Sequence, residues 1–329
     1  MKSFNENVLN IDPESEAGRI QRTMRHQVIE VLRRSGIVIS ISGGIDSSVS
    51  AALAVRAVGP ENVLCLSLPE YESNPESVEL AKLLTDFLKT RLIVRDIGPI
   101  LSAFKCYDNR DDAVKRIFPE YNSSYKLKLS LQNNLAEKKI LNIYYLVIES
   151  PDGIVKRKRL PMKELLEIIA ATNHKQRTRK QIEYYYADRH RYAVLGTPNR
   201  LEYDQGFFVK GGDGLADLKP IAHLYKSQVY ELSKYLNLPD EILNQKPTTD
   251  TYSMEQSQDE FFFSFPYDKM DLLLWAFNHD IPVGDVAETM SMTRDQVTWA
   301  YNDIVQKRRT TKYLHMKPLL IDVVPEVET

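Results

Sequence analysis

The chain is poor in cysteine: Cys65 and Cys106 are the only two in 329 residues, too few for a disulfide framework. No apolar run approaches the length of a membrane span. The segment Met1 to Asn7 lacks the apolar stretch of a secretory signal. A reducing cytoplasm is therefore the expected compartment. An excess of one charge is also missing. Lys and Arg number 43 against 45 Asp and Glu, a net −2, which gives no electrostatic reason to expect nucleic acid or an anionic membrane as partner. There is no G-x-x-x-x-G-K-[ST] phosphate loop, and no Ser-His-Asp or Cys-His constellation stands out. What is present is ordinary for a globular protein, 43% hydrophobic and 27% charged residues in a length that suits one large or two modest domains.

The stretch from Ile37 to Ser48 organises the rest. Ile37, Val38, Ile39 and Ile41 form a β-branched apolar run, as in a strand covered on both faces. Ser42-Gly43-Gly44 then reads as a turn whose glycines take angles that a Cβ forbids. From Ser47 to Val58 the residues are small and helix-compatible. A glycine turn feeding a helix N-terminus aims several backbone N–H groups at one spot, which suits a phosphate. The hydroxyls of Ser42, Ser47 and Ser48 add donors. Asp46 would repel a bare phosphate there, so a cation is expected between them, and Mg²⁺ commonly bridges carboxylates and phosphates.

Around this stretch the pattern alternates. Residues 15–35 are expected as a helix, with Ile20, Met24, Val28, Val31 and Leu32 at helical spacing. Val63 to Leu68 is a second strand, Glu76 to Lys89 a helix and Leu92 to Ile97 a third strand. Strands alternating with helices imply a parallel sheet with right-handed crossovers, and ligands beyond the C-terminal ends of its strands. Ile140 to Ile148 is strand-like, and after the Pro151-Asp152-Gly153 turn signal Ile154 to Leu160 returns as a hairpin partner. Its basic run, 156–159, suits a solvated sheet edge, with an anionic ligand or carrier as the alternative. Residues 163–190 are helical, and Arg177 and Arg179 diverge on it because they stand two apart. Tyr192 to Thr197 is another buried strand. A glycine-rich loop spans Gly206 to Gly214, and a helix runs from Leu224 to Leu236.

The segment Ser42-Gly43-Gly44-Ile45-Asp46-Ser47-Ser48 resembles the SGGxDS loop of the ATP pyrophosphatases, which cleave ATP between the α and β phosphates. The later motifs narrow the resemblance. Asn173-x-Lys-x-Arg177-x-Arg, Gly196-Thr197-x-Asn-x-x-Glu202, Gly206-Phe-Phe-x-Lys210-x-Gly-Asp213-Gly and Asp217-x-x-Pro-x-x-x-Leu-x-Lys226 are similar to the NAD synthetase family, in the family's order. Pro247-Thr248-x-Asp250 and Asp259-Glu260 match its mobile lid, placed around residues 245–262.

The resemblance implies an adenine nucleotide alpha hydrolase-like (Rossmann-like) α/β fold, a parallel sheet flanked by helices with a C-terminal helical segment. It implies a single domain over residues 1–329 with an insertion around 120–160. It implies an ATP-dependent ligase that adenylates the carboxylate of deamido-NAD and aminates it with ammonia, giving NAD, AMP and diphosphate. Asp46, Lys226 and Glu202 carry the catalysis, and Asp46 and Glu202 hold Mg²⁺. Ser42, Gly43, Gly44, Asp46, Ser47, Ser48, Thr197, Lys226 and Thr248 bind ATP, and Asn173, Arg177, Lys210, Asp213 and Asp217 bind the acid substrate. The family forms homodimers, so one is expected. No stretch could be a glutamine amidase domain, so the ammonia is free or comes from a separate amidase.

Three departures bear on the substrate. They are the 120–160 insertion, Phe262-Phe263-Ser264 where the family has Glu-Leu-Gly, and the altered end from Arg308 to Pro318. A relative that amidates another carboxylate is thus a second reading. Two further readings are of other classes. Residues 282–309 resemble a helix-turn-helix, though Asp295 and Asp303 on the second helix sit badly with DNA. A thiolating or nucleobase-modifying ATP pyrophosphatase would use the same loop with a reactive cysteine, for which Cys65 looks buried and Cys106 isolated.

Overall fold

A computed structural model describes residues 4–131, 144–245, 251–254 and 265–327. Its main sheet is parallel throughout. The strands β1 (Ile37–Ser40), β2 (Val63–Ser67), β3 (Arg91–Val94) and β7 (Ala193–Val194) lie in the order β3-β2-β1-β7. Ile37 pairs with Val63 on one side and Ala193 on the other. The period of two along β1 explains its central place. Ile37, Ile39 and Ile41 enter one core, with α1 (Pro13–His26), α2 (Ile45–Val58) and α8 (Lys226–Tyr235), whereas Val38 enters a second core on the opposite face. In that second core Leu64 and Leu66 meet Ile182 and Ala187 of the long helix α6 (Met162–His190).

The expected elements form close to their predicted bounds. The helix expected over 15–35 is α1, continued by a wider π turn at Gln27–Val31. The strand expected to reach Ile97 stops at Val94, because the Asp96 side chain accepts from the Gly98 amide at 2.7 Å and turns the chain into α4 (Gly98–Ala103). The strand expected over 192–197 shortens to β7, after which Gly196 donates to the Leu218 carbonyl at 2.8 Å and the chain leaves the sheet.

The described residues between 106 and 160 build a second sheet. After α5 (Cys106–Ile117) come β4 (Lys126–Leu131), β5 (Tyr144–Glu149) and β6 (Val155–Arg159), antiparallel in the order β4-β5-β6. It has its own core, where Phe118, Leu127, Leu129, Leu146 and Ile148 meet Leu165 and Ile168 of α6. The basic run is an exposed edge strand, as expected, and part of its charge is committed locally. Lys156 reaches Glu120 at 2.8 Å, and the Arg157 guanidinium lies 4.0 Å over the Tyr145 ring.

The chain ends in helices α10 (Tyr267–Asn278), α11 (Val283–Thr289) and α12 (Arg294–His315). They follow α3 (Glu76–Leu88), α7 (Arg200–Gln205) and α9 (Asp240–Leu243) in the helical complement. On α12, Val297, Ala300 and Ile304 are core residues, and the buried Lys307 pairs with buried Asp303 at 2.7 Å. The helix that a DNA-binding reading needs as a free basic surface is therefore committed to packing. No described helix is long and apolar enough to cross a membrane.

Candidate active site

The chain leaves β1 into a turn and starts α2 at Ile45. Gly43 has φ +83°, and a Cβ there would stand 3.1 Å from the Leu80 side chain. Gly44 is different: its φ is −81°, open to any residue, and it caps α2. The expectation that both glycines need unusual angles thus holds for Gly43 alone. The Gly44 carbonyl accepts from the hydroxyls of Ser47 and Ser48, each at 2.9 Å, and Ser42 Oγ lies 3.3 Å from Ser47 Oγ. The serines therefore brace the turn beside the first-turn N–H groups of α2, which lack intrahelical partners by construction.

Asp46 stands in that first turn and forms an ion pair with Lys226, the first residue of α8. Lys226 is 2% exposed. Burial works against its charge, but Asp46 and Glu202 outweigh it and hold the ammonium above its ordinary range. Asn199 Nδ2 donates to the other Asp46 oxygen at 3.3 Å.

Asn199 also starts α7, where its side chain accepts from the Glu202 amide at 3.2 Å while the Glu202 carboxylate accepts from the Asn199 amide at 3.1 Å. This capping box fixes Glu202 at the cleft floor. Its carboxyl is held well above the ordinary range, by burial first and by the Asp46 charge second, with Lys226 pulling the other way. Lys226 is thus ion-paired with Asp46 and acts on Glu202 only through space.

The turn opens into a cleft of about 690 Å³. Ser42, Ser47, Thr197 and Glu202 line the end near α2. Asn173 and Arg177 line it from α6, and Lys210 and Asp213 from the loop after α7. Arg177 Nε donates to the Lys210 carbonyl at 3.3 Å, while Arg179 Nε reaches the Leu68 carbonyl at 3.1 Å, so the two arginines diverge. Asp213 accepts from the Val209 amide at 2.8 Å, and burial raises its carboxyl above the ordinary range. Lys210 Nζ donates to the Tyr313 and Met316 carbonyls at 2.9 and 3.3 Å, at the end of α12.

Gly43, Gly44, Asp46, Ser48 and Lys226 are not among the residues that line the cleft, and neither is Asp217. It accepts from the Val194 amide at 2.7 Å and the Tyr184 hydroxyl at 3.2 Å, behind the wall. Thr248 and Asp250, with most of the segment expected as a lid, lie outside the described residues. Several lining groups were missed from sequence. Lys180 and Glu183 are buried and paired at 2.6 Å, and Ser40 donates to Glu183 at 2.9 Å. Their i, i+3 spacing was a usable signal. Tyr144 and Tyr252 also line the cleft, and no local pattern announces them.

Both cysteines are buried, and burial pushes each thiol up to about 11. Cys106 Sγ also donates to the Ala171 carbonyl at 3.2 Å. Neither is the low-pKa, accessible thiol that thiol chemistry requires.

Comparison with known proteins matches residues 17–139 and 110–315 to the family described as NAD synthase. The NH(3)-dependent NAD(+) synthetase of Rhizobium meliloti (strain 1021) is 51% identical over 325 residues, 99% of this chain and 97% of that protein. Among solved structures, NMN synthetase from Francisella tularensis superposes with a TM-score of 0.66 at 21% identity, over 95% of this chain and all of that one. NH3-dependent NAD synthetase from Campylobacter jejuni superposes at 0.62 and 20% identity, with the same coverages of 95% and 100%. At those identities the superpositions speak to the fold, an adenine nucleotide alpha hydrolase-like sheet between helices.

Proposed function

Because the chain belongs to the NAD synthase family, we propose that it is an ATP-dependent ligase that adenylates the carboxylate of deamido-NAD and aminates it with ammonia. The products are NAD, AMP and diphosphate. The observation that carries this reading is the meeting of Asp46, Lys226 and Glu202 at the N-terminus of α2. The likeness to an NH(3)-dependent NAD(+) synthetase along almost the whole chain supports it.

A carboxylate is a poor acyl donor. In the first step its oxygen attacks the α-phosphorus, the bond from that phosphorus to the bridging oxygen breaks, and diphosphate leaves. In the second the ammonia lone pair attacks the acyl carbon, the acyl–oxygen bond breaks, AMP leaves and the nitrogen loses a proton. Positioning and charge neutralisation carry both steps. The α2 amides with Ser47 and Ser48 cradle the leaving diphosphate, and Lys226 meets it as a point charge. Thr197 sits at the ATP end. Asn173, Arg177, Lys210 and Asp213 hold the acid substrate, and Asp217 supports them from behind the wall.

The residues present fit Mg²⁺. Burial raises the Glu202 carboxyl and the Asp46 charge adds to it, so a cation between the two would favour the charged form of Glu202. Among the described residues no three His, Cys, Asp or Glu assemble into a metal cage. Mg²⁺ characteristically takes one or two carboxylates plus substrate phosphates. Asp46 and Glu202 would hold it, and it would supply charge neutralisation between the carboxylates and the triphosphate. A homodimer completes the reading, supported by Met162 and Leu166, which stand exposed one turn apart on α6; sedimentation equilibrium tests it.

The decisive experiment is ATP–diphosphate exchange with a panel of carboxylic acids. Exchange dependent on deamido-NAD, with amide formed on adding ammonia, is expected. Exchange driven only by another acid would transfer the chemistry to that substrate, and no exchange with any acid would end the ligase reading.

A further inference from the structure

Lys175 lies on α6 midway between Asn173 and Arg177, is 1% exposed, and faces away from both into a buried charge cluster. Its ammonium has three donors, and all three are used. They go to Glu70 at 2.9 Å, Glu72 at 2.6 Å and the Thr251 carbonyl at 2.9 Å. Arg110 of α5 supplies the second cation on Glu72, and the Tyr107 hydroxyl donates to Glu70 at 2.7 Å. Buried charges are tolerated only when fully partnered, so this cluster has little freedom to rearrange.

Thr251 opens a short run that the second sheet grips. Tyr252 is 5% exposed and sits in the core with Phe118, Leu127 and Leu129. Ser253 Oγ accepts from the Leu127 amide at 2.9 Å, and the Met254 amide donates to the Leu127 carbonyl at 3.1 Å. Residues 253 and 254 thereby pair with Leu127 on the side of β4 that faces away from β5. Thr251 and Tyr252 also line the cleft, together with Tyr144 of β5 and with Asn173.

We propose that the second sheet and Lys175 form a clamp that sets residues 251–254 as one wall of the catalytic cleft, with Lys175 as a positioning residue. The charge cluster fixes one end of the run to the helix that carries Asn173 and Arg177, and β4 fixes the other. The second sheet thereby acquires a role, that of holding cleft wall in register with the substrate-binding helix. A wall displaced by about 1 Å costs up to ~100-fold in rate when the reacting groups depend on it. The kinetic part of the proposal rests on the ligase reading; the structural part does not.

The test uses the full-length enzyme with Lys175→Met, and with Ser253→Ala as a milder variant whose fold is not in question. Hydrogen exchange is read first, without substrate. Slow exchange of the Met254 amide in the wild type is expected, faster by about tenfold or more in Lys175→Met and by about threefold in Ser253→Ala, with β1 amides unchanged. Equal Met254 exchange in wild type and Lys175→Met would overturn the clamp whatever the enzyme turns over. Kinetics follow. The KM for the acid substrate should rise about tenfold or more in Lys175→Met, and AMP should be released without matching amide. A lower kcat at unchanged KM, with one AMP per amide, would mean that Lys175 only stabilises the fold, and would sink its positioning role. Wild-type enzyme inactive on deamido-NAD would count against the ligase reading, leaving the exchange result to judge the clamp.

Discussion

Lys226 and Asp46, 180 residues apart in the chain, are the first-turn residues of two neighbouring helices and close on each other as an ion pair. The pair joins the glycine turn after β1 to the C-terminal half of the protein, and in the proposed reaction its lysine is the cation that meets the leaving diphosphate. Asp46→Asn keeps the size of the side chain and removes its charge. ATP–diphosphate exchange should fall by about 100-fold or more, the scale of losing one preorganised electrostatic contact in a catalytic site. Far-ultraviolet circular dichroism should stay that of the wild type. Exchange within a factor of two of wild type would remove Asp46 from the chemistry.

Glu202 allows a cleaner separation of roles. Gln at the third position of a capping box still accepts from the Asn199 amide, so Glu202→Gln should leave α7 intact. It removes one of the two carboxylates proposed for the metal. The Mg²⁺ concentration for half-maximal activity should rise about tenfold, since ligand charge sets affinity for a hard cation. A titration that overlays the wild type would take Glu202 out of the metal site.

How much of this was legible in the sequence follows the distance over which each feature is decided. The strand Ile37–Ser40, its turn and α2 are local, encoded by a β-branched run, a glycine and small helix formers, and they form where expected. The hairpin of β5 and β6 was legible for the same reason, with Gly153 at φ +80° in its turn. The cluster around Lys175 was not, because its partners at 70, 72, 110 and 251 are scattered along the chain and meet only after folding. Tyr252 gave no sign of its place in the second core, since a single aromatic beside polar residues has no periodicity to read. Asp217 shows the opposite limit. Its position in a motif was plain, yet its contacts to Val194 and Tyr184 emerge only from the folded chain.

The two glycines of the turn should separate in stability. Gly43→Ala forces a Cβ into a left-handed conformation and against Leu80, and should destabilise by about 1–2 kcal/mol or more. Gly44→Ala keeps φ near −81° and meets only Ser42 Oγ at 3.4 Å, an ordinary contact. Losing a glycine cap for alanine should cost it well under 1 kcal/mol beyond any change in the unfolded chain. Urea unfolding of both variants checks this ordering. Equal losses would mean that the turn relaxes around Gly43, and a larger loss at Gly44 would reverse the reading of the turn.

Asp271 on α10 supplies a pH signature of the wall behind Lys226. It is fully buried and accepts from the Ser227 amide at 2.8 Å and the Ser227 hydroxyl at 2.9 Å, which ties α10 to the start of α8. Burial nevertheless pushes its carboxyl up to about 6, against those hydrogen bonds. The native state therefore binds this proton more tightly than the unfolded chain, whose Asp titrates near 3.8. The stabilisation this gives is complete below the unfolded value and is lost as pH rises through about 6. Asp271→Asn cannot titrate and keeps an oxygen for Ser227. The Tm of the variant minus that of the wild type should grow more positive from pH 4 to pH 7, most steeply between about 4 and 6, the interval between the unfolded and folded values. Thermal melts of the two proteins side by side, in buffers of constant ionic strength, read this difference directly and cancel the titration of every other group. Parallel curves, or a difference that shrinks as pH rises, would show that Asp271 keeps its charge at little cost beside Lys226.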